Sequence, residues 1–253
     1  MTNNDKPTMM ITTLGTSHGD QTYCRFNSST LFEIGNNAYL VDAGAPVEAL
    51  LIRSGKQFEN LKAVFITHMH NDHVGGLAGL IKAFIKHPKS GSYMQIYLSE
   101  QAGVKGLSQW LKAQHLPCPS DLYSLHTTVE GPVFSDDILS VRAIRTHHFR
   151  FPSYAYVLEA HGKRIVYTGD LAADFSDFPK IVREEHCDIC ICESTHFNMN
   201  EALDVLKTCP IEKLIFNHVS NQWHGDGENK LIELIKDMPF PCAIAHDGDT
   251  FSL

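Results

Sequence analysis

A run of six residues carries four side chains that can bind a divalent metal ion. They are His68, His70, Asp72 and His73. Imidazole and carboxylate ligands together suit zinc, and they also fit manganese or iron. Alternate side chains of an extended backbone point the same way, so His68 and His70 can share one ion. Asp72 and His73 follow a turn and can face a second ion. Two such ions activate a water for hydrolysis, so the run predicts half of a dinuclear site.

One loop cannot close two metal sites, so further ligands must come from the ends of other strands. The pair His147-His148, Asp170 and His218 each lie just past an apolar segment. Loops at strand ends are where a rigid scaffold displays reactive groups. Each residue alone would more often be an ordinary loop residue, but their common position beside the first run indicates ligands. Of the adjacent histidines we favour His148, from its spacing after residues 141–144.

The elements that must hold these residues follow from the hydrophobic spacing. Strands are predicted at residues 9–14, 30–34, 38–41, 63–67, 95–98, 138–144, 153–159, 164–167, 189–192, 214–216 and 242–245. Helices are predicted at residues 46–54, 77–85 and 104–113, and near 201–207 and 228–236. Hairpins dominate the first half, and strand and helix alternate in the second. This order favours two sheets covered by helices over one doubly wound sheet.

The length and composition are those of a globular protein. With 253 residues and no repeat or linker, the chain is expected to form one domain, residues 1–253, of which 1–8 are polar and loose. Lys and Arg number 21 against 29 Asp and Glu, a net charge of −8. This charge argues against duplex nucleic acid as a partner. A metal site can still supply local positive charge to a small phosphate.

The cysteines and the N-terminus bear on the compartment. Seven cysteines, an odd number, do not indicate a disulfide framework. Cys187, Cys190 and Cys192 lie in an apolar stretch, and we interpret them as buried strand residues rather than as a metal cluster. The N-terminus has no basic segment followed by an apolar one, and no stretch approaches the length of a membrane span. We therefore expect a cytoplasmic protein without a membrane partner.

With these residues identified, the sequence resembles the metallo-β-lactamase superfamily. The similarity extends from Leu14-Gly15-Thr16 to Asp247-Gly248, and the HxHxDH motif is its most specific part. It implies an α+β fold, a four-layer αβ/βα sandwich of two mixed sheets packed face to face with helices outside. It also implies two divalent metal ions, with zinc favoured. Metal one would take His68, His70 and His148, metal two would take Asp72, His73 and His218, and Asp170 would bridge both.

Within the superfamily the sequence is most similar to the phosphodiesterase-like branch, which includes ribonuclease Z and cyclic-nucleotide phosphodiesterases. The supporting pieces are Gly15-Thr16-Ser17, Asn27-Ser28-Ser29, Val41-Asp42-Ala43-Gly44 and Ser153-Tyr154-Ala155-Tyr156. A long Gly/Pro-rich arm for tRNA and a cysteine zinc knuckle are both missing from the sequence. The branch implies hydrolysis of a phosphodiester or other small phosphorylated substrate. The alternatives are a thioester or lactam hydrolase with the same metals, or a non-catalytic or redox-partner domain.

Further residues have candidate roles around the metals. Asp42 is the candidate acceptor for a metal-bound histidine. In the branch that this sequence resembles, a Glu at the position of Glu193 supports the site. His196 either protonates a leaving group or caps local structure; His224 is favoured as a surface residue, and His246 as a substrate contact or a turn residue. The expected partner is a small-molecule substrate, with a homodimer as one possible assembly. The catalytic candidates are Asp72, Glu193 and His196.

Overall fold

The computed structural model describes residues 8–253, so the prediction of a loose segment at 1–8 lies almost wholly outside it. The strands of this part are β1 (Met9–Gly15), β2 (Ser29–Ile34), β3 (Asn37–Val41), β4 (Leu61–Phe65), β5 (Met94–Leu98), β6 (Tyr123–Thr127), β7 (Gly131–Ser135), β8 (Ser140–Thr146), β9 (Ser153–Ala160), β10 (Lys163–Tyr167), β11 (Cys187–Glu193), β12 (Ile211–Asn217), β13 (Cys242–Ile244) and β14 (Asp249–Ser252). They form two sheets, ordered β14-β1-β2-β3-β4-β5-β6 and β13-β12-β11-β10-β9-β8-β7.

Each sheet is antiparallel over one half and parallel over the other. In the first sheet the pairs β3–β4, β4–β5 and β5–β6 are parallel. In the second sheet the parallel pairs are β10–β11, β11–β12 and β12–β13. Since parallel neighbours need crossover connections, helices follow most of these strands. The helices are α1 (Val47–Arg53), α2 (Asn71–Val74), α3 (Leu77–Lys86), α4 (Gln101–Ala113), α5 (Lys180–Glu184), α6 (Met199–Leu206) and α7 (Gly227–Ile235). Short 3₁₀ helices lie at Phe58–Asn60 and Asn221–Trp223.

Three apolar layers hold the four structural layers together. Between the sheets, Phe65 stacks on Tyr97 with ring centroids 5.4 Å apart and lies the same distance from Tyr156. One outer layer packs α1 and α3 against the first sheet, and the other packs α6 and α7 against the second. Burying one apolar face of each helix and both faces of each sheet gives the predicted αβ/βα sandwich, which the structure confirms.

The strands that the hydrophobic pattern did not predict lie at the edges of the sheets. They are β6, β7 and β14, each with a neighbour on one side only. Edge strands are half exposed, so their sequences lack a continuous apolar run. In β7 the second residue is Pro132, which has no N–H to give to a ladder. The five-residue helix α5 was also not predicted.

Several predicted strand boundaries were wrong by two or three residues, and two of them have a local cause in hydrogen bonding. The strand expected from residue 138 begins at Ser140, because Asp136 Oδ1 accepts hydrogen bonds from the backbone N–H groups of Ile138 and Leu139 and makes a turn there. The strand expected through residue 67 ends at Phe65. The backbone N–H of Thr67 donates to the side chain of Asp42 at 2.8 Å instead of continuing the ladder.

The cysteine-rich run forms β11, and Cys187, Cys190 and Cys192 are all buried there as free thiols. Burial raises the pKa of each of these thiols. The interpretation as buried strand residues is therefore confirmed. Within residues 8–253, no helix combines the length and the apolar character that crossing a membrane requires.

Candidate metal centre

The candidate ligands converge at one edge of the sandwich, beyond the carboxyl ends of strands from both sheets. His68 follows β4 of the first sheet, while His148 follows β8, Asp170 follows β10 and His218 follows β12. Strands β8, β10 and β12 run in the same direction, because β9 is antiparallel to both β8 and β10. Their carboxyl ends therefore meet at the same edge, although the residues lie far apart in sequence.

The loop that carries the first four ligand candidates packs closely against the backbone of residues 43 and 44, which follow β3. After β4 the backbone stays extended to His70, and α2 then begins, so that Asp72 and His73 lie on a helical turn. A Cβ atom on Gly44 would lie 2.1 Å from the Asp72 carbonyl oxygen, and one on Gly76 would lie 3.0 Å from the backbone oxygens of residues 43 and 44. Only glycine allows these approaches, so the glycines fix the position of the ligand loop.

Three nitrogens form the first triad. His68 Nε2 lies 2.9 Å from His70 Nδ1, which lies 3.2 Å from His148 Nε2. Asp170 Oδ2 lies 3.7 Å from both His68 Nε2 and His148 Nε2. Ligand atoms about 2.1 Å from a tetrahedral ion are separated from each other by about 3.4 Å. The spacing thus fits three histidines and one carboxylate oxygen around a single ion.

A second triad lies on the other side of Asp170. His73 Nε2 is 3.1 Å from His218 Nε2 and 3.3 Å from Asp72 Oδ2, and His218 Nε2 is 3.2 Å from the same Asp72 oxygen. Asp170 Oδ1 lies 3.5 Å from His73 Nε2 and 3.6 Å from His218 Nε2. These distances also match the edges of a tetrahedron around one ion.

The carboxylate of Asp170 supplies an independent test of whether metal ions fit. Its Oδ1 is buried and, among the described residues, has no hydrogen-bond partner. A buried carboxylate oxygen without a partner is costly unless a cation compensates it. Burial raises the pKa of Asp170, but the histidines around it, His218 foremost, hold that pKa well below its usual range. The donor set therefore fits two divalent cations bridged by Asp170.

Two imidazoles of the first triad, those of His68 and His148, are suited to bind a metal because burial favours their neutral form. Burial lowers the pKa of His148 to about 4, and Asp170 only partly offsets this. The pKa of His68 also lies well below its usual value, through burial and then the neighbouring His73. A neutral imidazole has a lone pair for a metal ion.

Asp42 orients His73 in the second triad. Its Oδ2 accepts a hydrogen bond from His73 Nδ1 at 2.8 Å, which leaves Nε2 of that ring facing the triad. Asp42 is fully buried, with a φ of 61°, and its Oδ1 accepts hydrogen bonds from the backbone N–H and the hydroxyl of Thr67. A carboxylate behind a ligating histidine fixes the tautomer and the ring orientation, the role expected for Asp42 from the sequence.

Glu193 holds the loop after Asp170 and the ring of His196. Its Oε1 accepts from the Leu171 backbone N–H at 2.6 Å, and its Oε2 accepts from Thr195 N–H and from both the backbone and Nδ1 of His196. Burial lowers the pKa of His196, but the hydrogen bond and charge of Glu193 outweigh it and raise that pKa to about 9. In this arrangement Glu193 is a positioning residue, while His196 Nδ1 lies 3.7 Å from Asp170.

Comparison with known proteins identifies the family. The family model described as "Anti-Pycsar protein Apyc1" matches residues 9–230, most of the chain. The chain belongs to this family. Among curated proteins, ribonuclease Z of Acaryochloris marina (strain MBIC 11017) is 35% identical over 159 residues, 60% of this chain and 48% of that protein. Ribonuclease Z of Cyanothece sp. (strain PCC 7425) is 33% identical over 156 residues, 58% and 46% of the two chains. The chain spans about half the length of the curated relatives it matches.

Solved structures show the same fold in other proteins. The metallo-β-lactamase fold protein YhfI from Bacillus subtilis superposes with a TM-score of 0.80 at 22% identity, covering 98% of this Apyc1-family chain and all of YhfI. The short form of human tRNase Z superposes with a TM-score of 0.76 at 19% identity, covering 96% and 98% of the two chains. These structures confirm the predicted metallo-β-lactamase fold, and the similarity to ribonuclease Z expected from the sequence is confirmed by the curated relatives.

Besides His196, three of the histidines considered from the sequence lie outside the triads. His147 is exposed, and its backbone N–H donates to Asp177. His224 Nε2 donates to the carbonyl of Val219 at 2.9 Å. His246 is half exposed at the turn before β14, where its Nε2 lies 2.9 Å from Glu228. This placement makes His246 a turn residue.

Three aromatic residues beside the triads were not identified from the sequence. The ring of His18 lies 6.2 Å from that of His218, and its buried Nε2 has no hydrogen-bond partner in the part of the chain described. Phe149 and Phe151 are exposed beside the first triad. The signal for His18 was its position directly after Gly15-Thr16-Ser17. The signal for the phenylalanines was their position directly after His148, in a stretch otherwise too polar for a core strand.

Proposed function

We propose that this chain is a dinuclear metal-dependent hydrolase that uses an activated water to cleave a phosphodiester or another small phosphorylated substrate. One observation carries the proposal: the two oxygens of buried Asp170 face two separate triads of ligand atoms at 3.5–3.7 Å. The relatives named ribonuclease Z and a structural neighbour described as a diphosphatase of the PhnP family, with a TM-score of 0.73 at 17% identity, support hydrolysis at phosphorus.

Each set of residues has a defined part in holding the ions. His68, His70 and His148 would bind one ion, Asp72, His73 and His218 the other, and Asp170 both. Two divalent cations here would lower the pKa of a shared water and offset the charge that develops on the phosphoryl group. The histidine-rich donor set favours zinc, and manganese or iron would also fit.

His196 is the candidate donor of a proton to the leaving oxygen. Glu193 holds Nδ1 of this ring at 2.8 Å, so that Nε2 is the nitrogen left to transfer a proton. His196 also lines an open cavity beside the first triad, where a leaving group can enter. A general acid must lie within reach of the oxygen that it protonates, and the position of His196 between this cavity and Asp170 supports that role.

The charge of the chain favours a small substrate over duplex nucleic acid. The net charge is −8, so a polyanion is repelled at long range. Any attraction for phosphate must therefore be local and arise at the metal centre.

The test is to measure the metal content of the purified protein and then its activity on bis-p-nitrophenyl phosphate, a thioester and a lactam. We expect about two divalent ions per chain and hydrolysis of the phosphodiester above the other two. Asp170→Asn should abolish activity and lower the metal content. Asp188→Asn is the matched control, because Asp188 is equally buried but pairs with Lys163 away from the site. If no metal binds, and zinc or manganese restores no hydrolysis, the proposal is wrong.

A further inference from the structure

One carboxylate outside the triads joins two of the loops that carry ligand candidates. Asp177 Oδ2 accepts a hydrogen bond from the backbone N–H of His147 at 2.6 Å, and its Oδ1 accepts one from the backbone N–H of Ala172 at 2.9 Å. His147 directly precedes the candidate ligand His148, and Ala172 follows Asp170 by two residues. Asp177 therefore links the loop after β8 to the loop after β10.

The turn that carries Asp177 is anchored by buried aromatic rings. Asp177 lies between Phe175 and Phe178, which are buried and stack with ring centroids 4.6 Å apart. The ring of Phe175 also lies 4.5 Å from that of Phe197. The Phe175 N–H donates to the carbonyl of Ala172, and the Phe178 N–H donates to the carbonyl of Phe175. Because this turn is already ordered by packing, its carboxylate has little conformational entropy left to lose when it binds the two N–H groups.

The separation of these two loops sets a distance within the first metal site. His148 Nε2 lies 3.7 Å from Asp170 Oδ2, and a functional site tolerates displacements of only about 0.5 Å. Glu193 binds the neighbouring N–H of Leu171 at 2.6 Å and joins the loop after β10 to the loop after β11. Asp177 supplies the corresponding link to the loop after β8. The two carboxylates thus hold successive N–H groups behind Asp170 from two directions.

We propose that Asp177 is a positioning residue for the first metal ion, which fixes the distance between His148 and Asp170 by joining their loops. The proposal rests on the metal centre of the proposed function, in which His68, His70, His148 and Asp170 hold that ion. The three ligands of the second triad do not come from the loop after β8. Loss of the Asp177 link should therefore weaken the first ion selectively and change the second one less.

The experiment titrates the full chain with Zn²⁺ and, in parallel, with Co²⁺ as a spectroscopic probe. In Asp177→Asn one acceptor oxygen remains for two N–H groups, so one loop is released. We expect the affinity for one of two Zn²⁺ ions to fall about tenfold, the lower end of the range for groups that orient metal ligands. The visible absorption of one bound Co²⁺ should change with its coordination geometry. Asp174→Asn is the matched control, because Asp174 lies on the same turn with the same charge but accepts hydrogen bonds from the backbone N–H and hydroxyl of Ser176.

Amide hydrogen exchange of the metal-free protein, followed by NMR, tests the link itself. The N–H groups of His147 and Ala172 should exchange faster in Asp177→Asn than in the wild type or in Asp174→Asn. Unchanged exchange, wild-type affinity for both ions, equal weakening of both ions, or the same effect in the control would refute the positioning role and leave the proposed function intact. If the wild type binds two ions but hydrolyses no phosphodiester, the proposed function is wrong, and a selective loss in Asp177→Asn still supports the positioning role. A wild-type protein that binds no ion would overturn both proposals.

Discussion

Exchanging Asp42 for asparagine would test how one carboxylate prepares the second triad. Asp42 accepts hydrogen bonds from His73 Nδ1 and from the backbone N–H of Thr67, each at 2.8 Å, and from the Thr67 hydroxyl at 3.0 Å. Asparagine has almost the same shape and tolerates the φ of 61° that this position requires. The substitution therefore changes hydrogen bonding without changing the packing.

The size of the effect follows from counting donors and acceptors. An amide has one acceptor oxygen where the carboxylate has two. If that oxygen keeps the bond to Thr67, the NH₂ group faces His73 Nδ1, which must then accept. The proton of the ring moves to Nε2, the atom that faces the triad. We expect metal affinity to fall 10- to 100-fold, as for other partners of ligating histidines. Loss of the charged hydrogen bond should destabilise the metal-free fold by about 1.5–3 kcal/mol.

Competition with a chromophoric chelator measures the affinity, and urea denaturation of the metal-free protein measures stability. Asp136→Asn is the control, because the exposed carboxylate of Asp136 accepts hydrogen bonds from the backbone N–H groups of Ile138 and Leu139 and from the hydroxyl of Tyr39, but from no histidine. It should lower stability and leave metal affinity unchanged. Wild-type affinity in Asp42→Asn, or equal weakening in the control, would refute the orienting role of Asp42.

Three other predictions concern the ions and the core. Removing the metals with a chelator should abolish hydrolysis until zinc or manganese is added. It should also lower the free energy of unfolding by about 2.7 kcal/mol, relative to protein in a metal concentration about 100 times the Kd. An unchanged melting curve after metal removal would contradict this prediction. His148→Ala and His218→Ala should each reduce the metal content from about two ions per chain to one, measured by mass spectrometry, and two retained ions in either variant would contradict the ligand assignment. Phe65→Ala should cost about 3–5 kcal/mol in urea denaturation, because this buried ring contacts aromatic residues of both sheets, and a cost below 1 kcal/mol would contradict that packing.

The sequence predicts those parts of the structure where burial on both faces requires an uninterrupted run of apolar residues. Central strands such as β4 and β11 are apolar on both faces, so their positions were found to within two residues. The ligand candidates could be chosen because each follows such a strand. Strands β6, β7 and β14 contain no such run, since their partners lie on one side only.

The aromatic side of the site escaped prediction for a different reason. Phe149 and Phe151 are exposed, yet hydrophobic spacing treats every apolar side chain as a candidate for burial. Only the distances to the rings of His148 and His196 show that Phe149 lies beside the candidate metal ligands. Its left-handed backbone is likewise visible only in three dimensions.

The adjacent histidines at the end of β8 show why the last choice of ligand is a tertiary property. Val141 and Ala143 are buried early in the strand and Arg142 is exposed, but the alternation shifts before Thr146, which is buried at the end of β8. The structure buries His148, the residue favoured from the sequence, and exposes His147. The backbone N–H of His148 donates to the Ser153 hydroxyl of β9. Its Nε2 lies 3.2 Å from Nδ1 of His70, a residue 78 positions away in sequence. The sequence pattern along β8 identifies the two adjacent histidines as candidates. Which of them faces the other ligands is determined by the positions of β4 and β9 and the side chains that follow or lie on them.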